Sequence, residues 1–237
     1  MKKHTRTLLI GVSAMFALGT LSACSGGTST EATTTSEATA TTPVSATAAP
    51  FPQSAKYIAD MKAADGKTMT IGIAVDGTEV AAYACNGTDD EAWFFGNQTD
   101  GKIDIKSRFR DTLSAEFDGT DVEGDLMMNG VSYEFTAPAV PAPAGMYTAE
   151  ADGVRASWVV RPDGSAIGVQ FNGGVSGRDF EQAELQQLKD EQFRASVRNK
   201  RILQQAQQIA RLQNNGFEST INGKRVVLVV VNGNFRL

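Results

Sequence analysis

Residues 69–87 read MTIGIAVDGTEVAAYACNG, and this stretch sets the pattern for the chain between residues 68 and 175. Two apolar runs each end in an Asx-Gly dipeptide, which suits a two-residue hairpin because both central residues of a type I′ turn need a positive φ. Eight such dipeptides occur here, with glycines at positions 77, 87, 101, 119, 130, 153, 164 and 173. The pattern predicts short antiparallel strands joined by tight turns.

Apolar and polar residues alternate within the predicted strands, most clearly in 69–75, 113–117, 131–135 and 154–160. A period of two with one apolar face is typical of a half-buried antiparallel strand. No segment with helical periodicity interrupts these strands, so parallel crossovers are not expected. The sequence therefore predicts a mainly β fold, an antiparallel meander that closes as a small calycin-like barrel or packs as a sandwich. The barrel is the favoured interpretation.

The first residues have the features of a secretory signal. Three basic residues precede an apolar run from 8 to 21, and the sequence then reads Leu-Ser-Ala-Cys, ending at Cys24. This ending resembles the lipobox of bacterial lipoproteins, which implies removal of residues 1–23 and attachment of lipid to Cys24. An ordinary signal peptide cut near Ala23 is the alternative. Lipid on Cys24 would hold the protein at the outer face of the cell membrane, with two or more acyl chains needed for stable anchoring.

The mature chain would be acidic and free of histidine. The only histidine is His4, and removal of the signal leaves 19 Lys and Arg (22 − 3) against 27 Asp and Glu, a formal net charge of −8. Without histidine there is no Ser-His-Asp or Cys-His device and no imidazole metal site, and the acidic charge disfavours nucleic acid as a partner. No glycine-rich phosphate loop is present. We therefore expect no enzyme activity and no catalytic, cofactor-binding or metal-binding residues.

Composition divides the rest of the chain. Residues 24–52 are rich in Thr, Ala and Ser, and they are predicted to form a disordered, lipid-anchored tether. Residues 53–175 are the predicted β domain, although its first part, 53–67, is interpreted as a short helical or irregular segment. Three prolines between 138 and 143 predict a stiff extended connection within this domain, because proline cannot donate to a sheet ladder.

Several short runs resemble a recurring pattern in actinobacterial secreted and lipid-anchored envelope proteins, which are mostly of unknown function. The runs are IAVDG (73–77), AYACNG (82–87), EAWFFG (91–96), DGK (100–102), AGMY (144–147) and SWVVRPDGS (157–165). The resemblance spans roughly residues 70 to 170, and residue 146 is Met where the pattern would have Leu. It implies an envelope location and a β domain, and it transfers no catalytic residues.

Residues 176–216 are predicted to be helical. Within them, 179–213 contain neither Pro nor Gly and are rich in Gln, Glu, Arg, Leu and Ala; Ser176 is a candidate N-cap and 214–216 a stop signal. Three arrangements stay open: one long helix lying across the barrel, a helix pair broken near 196–200, or self-association of 179–213 as a coil with another chain.

Residues 217–237 predict three C-terminal strands that pack on the β domain. Two Asn-Gly dipeptides, at 222–223 and 232–233, separate these strands. The run 226–231 is apolar on both faces, and it is therefore expected to be buried between layers.

The candidate functional side chains of the β domain are aromatic. Five of them could line a ligand cavity or could fill the core instead: Trp93, Phe95, Tyr133, Trp158 and Phe171. Cys85 has acidic sequence neighbours, so burial as a small apolar residue is expected rather than reactivity. The acidic run 118–125 is interpreted as a solvated strand face and not as a calcium site.

Three functions remain open at this point. The favoured hypothesis is a non-catalytic binding or interaction module of the cell envelope, whose partner is another envelope protein or a cell-wall polymer. One alternative is a carrier that holds a small hydrophobic ligand in the calycin-like barrel. The other is a hydrolase that works without histidine, through carboxylates or a Ser-Lys pair.

Overall fold

The computed structural model describes residues 48–237, so the predicted signal peptide, Cys24 and most of the tether lie outside the described residues. The helices are α1 (Gly177–Leu185) and α2 (Asp190–Ser196), followed by a 3₁₀ turn at Arg198–Lys200. The strands are β1 (Ser54–Lys62), β2 (Thr68–Asp76), β3 (Glu79–Cys85), β4 (Glu91–Thr99), β5 (Lys102–Lys106), β6 (Thr112–Phe117), β7 (Asp121–Met128), β8 (Val131–Pro138), β9 (Gly145–Ala151), β10 (Val154–Val160), β11 (Ala166–Phe171), β12 (Leu203–Gln205), β13 (Ala210–Arg211), β14 (Phe217–Ile221), β15 (Lys224–Val227) and β16 (Val229–Val230).

The first eight strands form an antiparallel meander that is nearly closed into a barrel. Each strand pairs with the next, in the order β1 to β8. The end of β8 lies beside β1, where Tyr57 forms a bridge with Ala139 and the amide of Val140 donates to the carbonyl of Lys56 over 2.8 Å. The predicted mainly β fold with a barrel-like meander is confirmed.

Asx-Gly turns join several of these strands as the sequence predicts. Asp100, Asn129 and Asp152 have φ of 51°, 52° and 53°, and the glycine after each of them also has a positive φ. Both central residues of these two-residue loops are thus left-handed, which is the requirement of a type I′ hairpin.

Side chains fill the interior of the barrel. Alternate residues of all eight strands meet in one buried cluster, which includes Ile71, Phe94, Leu113, Leu126 and Tyr133. The alternation seen in the sequence is therefore the alternation between the inside and the outside of the barrel.

A second sheet, in the order β12-β11-β10-β9-β16, packs on the outer face of β2 to β4. Tyr83 and Trp93 meet Val159 and Met146 in this interface. A Cβ atom at Gly72 would lie 2.5 Å from Cγ of Met146, so the absence of a side chain there permits the close packing. A third sheet, β13-β14-β15, covers the other face of the second sheet. The second sheet is therefore buried on both faces.

The first strand of the β domain begins earlier in the chain than predicted. The interpretation of residues 53–67 as helical or irregular was wrong, because 54–62 form β1 along the whole of β2. The last part of the predicted tether is also packed on the barrel. The amide of Ala49 donates to the carbonyl of Phe117 over 2.7 Å, and the ring of Phe51 stacks on that of Phe117 with centroids 5.0 Å apart.

The helical prediction for residues 176–216 was wrong beyond residue 200. The helices end at a break near Gln187, whose φ is 50°, and again at the 3₁₀ turn. Residues 203–205 pair instead with the open edge of β11. Helix propensities differ by no more than about 0.7 kcal/mol among ordinary residues, so strand pairing and burial outweigh them. With helices of nine and seven residues, 179–213 has no continuous seam for a coiled coil.

The expected burial of residues 226–231 on both faces was also wrong. The two strands in this run are edge strands, and both residues of β16, which point to opposite faces, are exposed. Leu228 and Val231 face the core, whereas Val227 and Val229 are 62% and 60% exposed and Val230 is 40% exposed. The exposed three, Val227, Val229 and Val230, are named the valine patch.

Candidate functional site

A cleft of about 420 Å³ lies where the outer face of the barrel, the second sheet and the start of α1 meet. This volume is in the range of small-molecule sites, which begins at about 300 Å³. The walls are mainly aromatic and cationic: Trp93, Phe95, Phe109, Phe171 and Phe180 among the aromatic residues, and Lys106, Arg108, Arg155 and Arg201 among the cations. We name it the aromatic cleft.

One wall of the aromatic cleft is a stack of rings on β4. Trp93 and Phe95 are two residues apart and therefore share the outer face of the barrel. Their ring centroids are 5.5 Å apart with the planes inclined by 15°, and the ring of Tyr83 lies 4.7 Å from that of Trp93. The Nε1–H of Trp93 is buried and has no hydrogen-bond partner among the described residues. This wall is thus a flat apolar surface with one unfilled donor.

The opposite wall is built by the turn after β5 and by α1. Ser107 shapes the turn, because its Oγ accepts hydrogen bonds from the amides of Phe109 (3.1 Å) and Asp111 (3.0 Å). This geometry holds the ring of Phe109 against that of Phe180, with centroids 5.4 Å apart. The guanidinium of Arg108 lies 4.1 Å from the centroid of the Phe180 ring, in cation–π contact.

The only carboxylate side chain in the lining, Glu91, accepts hydrogen bonds from neighbouring donors on both of its oxygens. Its Oε1 accepts a 2.6 Å hydrogen bond from Arg155, and its Oε2 accepts one of 3.0 Å from the hydroxyl of Tyr83. Burial, followed by the nearby thiol of Cys85 and the Glu91 carboxylate, raises the pKa of Tyr83 well above its ordinary value, so Tyr83 stays a donor. Glu91 is therefore an anchor in this structure and not a free acid or base.

Arg201 is also held in place by neighbouring acceptors. It donates to the backbone carbonyl of Glu91 over 2.5 Å and to the carboxylate of Asp90 over 3.1 Å, and its guanidinium lies 4.4 Å from the centroid of the Phe109 ring. Burial lowers its pKa, with the charge of Arg198 acting in the same direction. Arg201 therefore supports the wall, because each of its three side-chain nitrogen atoms donates to a neighbouring acceptor.

The remaining two cations, Lys106 and Arg108, are exposed at the rim. Neither forms a salt bridge with a carboxylate within residues 48–237, in contrast to Arg155 and Arg201. The aromatic cleft thus combines an apolar wall with two positive charges that have no partner in the described chain.

A second, more polar cleft of about 650 Å³ lies at the mouth of the barrel, between Asp89, Tyr133 and Asn199. Buried ion pairs lie beside it: Arg198, with a side chain 2% exposed, contacts Asp90 at 2.8 Å and Asp111 at 3.3 Å. A buried arginine needs carboxylate partners. These contacts therefore join the helical segment to the barrel, and they account for the charges beside this second cleft.

The five aromatic candidates from the sequence separate into three environments. Trp93, Phe95 and Phe171 line the aromatic cleft. Tyr133 belongs to the barrel interior, and Trp158 lies in the core between the second and third sheets, where its Nε1 donates to the carbonyl of Gln207 over 3.0 Å. The sequence left open whether each of them lines a cavity or fills a core, because both faces of β4 and β10 are apolar and the sequence does not say which face is inside.

Sequence reasoning missed the opposite wall, Phe109 and Phe180, and the rim cations. One signal was available: residues 108–110 read Arg-Phe-Arg, a concentration of positive charge and aromatic surface in an acidic chain. Phe180 had no such signal, because it is brought to the cleft only by the packing of α1.

Two further expectations concern groups outside the cleft. Cys85 is fully buried, as predicted, and burial raises the pKa of its thiol to about 12. In the run 118–125, Val122 and Leu126 are buried while Glu123 and Asp125 point outward, as predicted for a solvated strand face. Among the described residues, no group of three His, Cys, Asp or Glu side chains is placed to hold a metal ion.

No helix within residues 48–237 has the length and apolar character needed to cross a membrane. Comparisons of the chain with protein-family models, with curated proteins and with solved structures found no match. The geometry of the clefts and the sequence signals are therefore the basis for assigning a function.

Proposed function

We propose that the protein is a lipid-anchored, extracytoplasmic binding module of the cell envelope, and that the aromatic cleft is its binding site. The observation that carries the proposal is the cleft itself, about 420 Å³ of mainly aromatic surface with two unpaired cations at its rim. An apolar concavity with a few polar groups is the usual form of a small-molecule site.

The position of this cleft changes the carrier hypothesis. Packed side chains occupy the barrel interior, from Ile71 on β2 to Leu126 on β7, as is usual for barrels of about eight strands. A small hydrophobic ligand would therefore bind outside the barrel, between its outer face and α1. Binding of the ligand inside a calycin-like barrel, as the sequence suggested, has no support from this packing.

Binding is favoured over catalysis by the state of the reactive groups near the cleft. Both oxygens of Glu91 accept hydrogen bonds from neighbouring side chains, and the raised pKa of Cys85 keeps its buried thiol protonated. A nucleophile or general base needs a free, correctly protonated group within reach of a substrate. Neither of these residues meets that requirement.

The location rests on the sequence. The basic start, the short apolar run and the Leu-Ser-Ala-Cys ending at Cys24 support export and lipid attachment. The resemblance to actinobacterial envelope proteins supports the same compartment.

An interaction surface for another envelope protein or a cell-wall polymer is the second candidate. The observation in its favour is the valine patch, three exposed β-branched side chains at the edges of two sheets, because exposed apolar side chains are what a partner would cover. The two candidates differ in the residues that they require, so variants in the cleft and in the valine patch separate them.

Ligand retention tests the proposal. Native mass spectrometry of the full-length protein purified from its own envelope is expected to detect a bound small molecule. A lipid extract of that envelope is expected to change the emission of Trp93, and Trp93→Phe should abolish the change while Trp158, in another core, still emits. A protein that carries no small molecule, and whose tryptophan emission is unchanged by the extract, would contradict binding at this cleft.

A further inference from the structure

The charges of the aromatic cleft differ in sign from those of the chain as a whole. The mature chain carries a formal net charge of −8 by the count above, yet the side chains of the lining include four cations and one carboxylate. Arg155 is paired with that carboxylate, and Arg201 with Asp90. Two positive charges, on Lys106 and Arg108, are left over at the rim.

We infer that the aromatic cleft binds an organic anion, a molecule with an apolar body and one carboxylate or phosphate head that Lys106 and Arg108 receive. This inference rests on the proposed function, because it names the chemical class of the ligand for the same site.

The spacing of the two cations suits one anionic head. Lys106 is the last residue of β5 and Arg108 follows two residues later, so their Cα atoms are at most about 7 Å apart at roughly 3.3 Å per residue. Both side chains are exposed and can converge on a group between them. The contact of Arg108 with the ring of Phe180 fixes this cation on the wall opposite Trp93 and Phe95. A ligand head held there would have its body directed along the aromatic surface.

The wall suits an apolar body that carries few donors. Trp93 and Phe95 present parallel rings, and the indole N–H of Trp93, which is 93% buried by its 7% exposure, has no acceptor among the described residues. The N–H itself is enclosed by protein atoms, so this wall offers a ligand its apolar ring surface. The one carboxylate side chain in the lining is already occupied, so the hydroxyl donors of a sugar would find no free carboxylate side chain there.

Four probes test this inference on the full chain carrying Cys24→Ser. This variant lacks the thiol that would carry the lipid, so no detergent has to be added for a lipid anchor. They are dodecyl phosphate, dodecanol, dodecyltrimethylammonium and inorganic phosphate, and binding is followed by calorimetry and by Trp93 emission. Dodecyl phosphate is expected to bind at least about tenfold more tightly than dodecanol, because hydrogen bonds to charged groups are the stronger ones. Added salt should reduce this difference, because the two cations are exposed.

Charge variants on one strand provide the matched control. Lys106→Gln and Arg108→Gln together should bring the affinity for dodecyl phosphate close to that for dodecanol. Lys102→Gln removes a cation at the other end of β5, outside the aromatic cleft, and should leave the affinities unchanged.

The outcomes separate the two levels of the proposal. Dodecanol or dodecyltrimethylammonium binding as tightly as dodecyl phosphate would overturn the anion inference and leave a binding cleft. Inorganic phosphate binding as tightly as dodecyl phosphate would overturn the requirement for an apolar body. If none of the probes binds, and the protein from its own envelope carries no small molecule, the proposed function fails as well.

Discussion

Arg155 of the second sheet donates a 2.6 Å hydrogen bond to Glu91, a carboxylate of the barrel that is 64 residues earlier in the chain. The side chains are 19% and 3% exposed, so the ion pair is largely withdrawn from water. Tyr83 satisfies the second oxygen of Glu91. The pair therefore joins the two sheets at the floor of the aromatic cleft, and breaking it leaves a buried charge without its partner.

Glu91→Gln is expected to lower the free energy of unfolding by about 3 kcal/mol, because removing one partner of a buried ion pair leaves the other uncompensated. Urea unfolding followed by circular dichroism measures the loss. Glu116→Gln is the control, since Glu116 pairs with Lys102 on the exposed face of β5 and β6, and such pairs contribute about 1 kcal/mol or less. Equal losses in the two variants would mean that the Arg155–Glu91 pair does not hold the sheets together.

The double variant Glu91→Leu with Arg155→Met sharpens the same prediction. Replacement of a buried ion pair by apolar side chains is often neutral or stabilising, so the double variant should be more stable than Glu91→Gln alone. A double variant that loses the sum of both single losses would contradict a direct coupling between the two residues.

The barrel could be predicted from the sequence because its signals are local. The Asx-Gly dipeptides mark the hairpins, and alternation marks the faces, so the order β1 to β8 follows from neighbours along the chain. The length of the strands and the near closure between Tyr57 and Ala139 needed the structure.

The segment after residue 200 shows where local signals fail. Its composition favours helix, but the open edge of β11 offers backbone hydrogen bonds to Leu203 and its neighbours, and such a partner is not visible in the segment's own sequence. The aromatic cleft could not be predicted in full from the sequence for a related reason. Trp93 and Phe95 were identified as candidates, but the ring opposite them, Phe180, arrives from a helix 85 residues away along the chain (180 − 95).

Gly168→Ala is expected to destabilise the second sheet. A Cβ atom there would overlap the carbonyl oxygen of Ser157 and lie 2.6 Å from Cδ1 of Trp158, its partner in the β10–β11 register. Because the overlap involves backbone and a fully buried ring, we expect a loss of about 1–3 kcal/mol, as for other overpacked sites. The measurement is the thermal or urea unfolding midpoint.

Gly177→Ala is the matched control for this substitution. Gly177 begins α1, and no atom lies within 4 Å of the position that a Cβ would occupy. Alanine is a better helix former than glycine, so this variant should be as stable as the parent or slightly more stable. A Gly168→Ala protein with the stability of the control would show that β11 can shift away from Trp158.

Cys85 is expected to be unreactive in the folded protein. Its thiol is fully buried, and burial raises its pKa from 9.0 to about 12, so almost no thiolate exists near neutral pH. In the Cys24→Ser background, where Cys85 is the only thiol, a disulfide reagent such as Ellman's reagent should react only after unfolding in guanidinium chloride. Rapid reaction of the folded protein would contradict this account.

The same shift predicts a dependence of stability on alkaline pH. The folded state holds the proton of Cys85 more tightly than the unfolded state does, so its contribution is complete below the ordinary pKa of 9.0. Between 9.0 and about 12 the unfolded state loses the proton first, and the free energy of unfolding should fall as the pH rises. Cys85→Ala should show a smaller fall than the parent over this window.

Cys24→Ser is expected to release the protein from the membrane fraction or to leave the precursor uncut, because the lipid would be attached to this thiol. Fractionation and mass determination of the expressed protein measure the outcome. Cys85→Ala is the control, since it removes the other cysteine of the sequence and should leave the membrane attachment unchanged. A Cys24→Ser protein of mature size that remains in the membrane fraction would contradict the lipobox interpretation.

Trp158→Ala is expected to be the most destabilising of the tryptophan substitutions. Trp158 is 1% exposed, packs between the second and third sheets, and donates its indole N–H to the carbonyl of Gln207. Removal of a buried tryptophan side chain costs about 3–5 kcal/mol through lost apolar contacts and the cavity left behind. Urea unfolding of the purified variants measures this loss.

Trp93→Phe and Trp158→Phe each remove the N–H and one ring of the indole, and they differ in whether that N–H has a partner. The Nε1–H of Trp93 has no partner among the described residues, so Trp93→Phe breaks no hydrogen bond and loses only packing. Trp158→Phe deprives the carbonyl of Gln207 of its donor, and we expect it to cost about 1–3 kcal/mol, less than Trp158→Ala. If Trp158→Ala proved no more costly than Trp93→Phe, the third sheet would not depend on this packing, and the core between the second and third sheets would need another explanation.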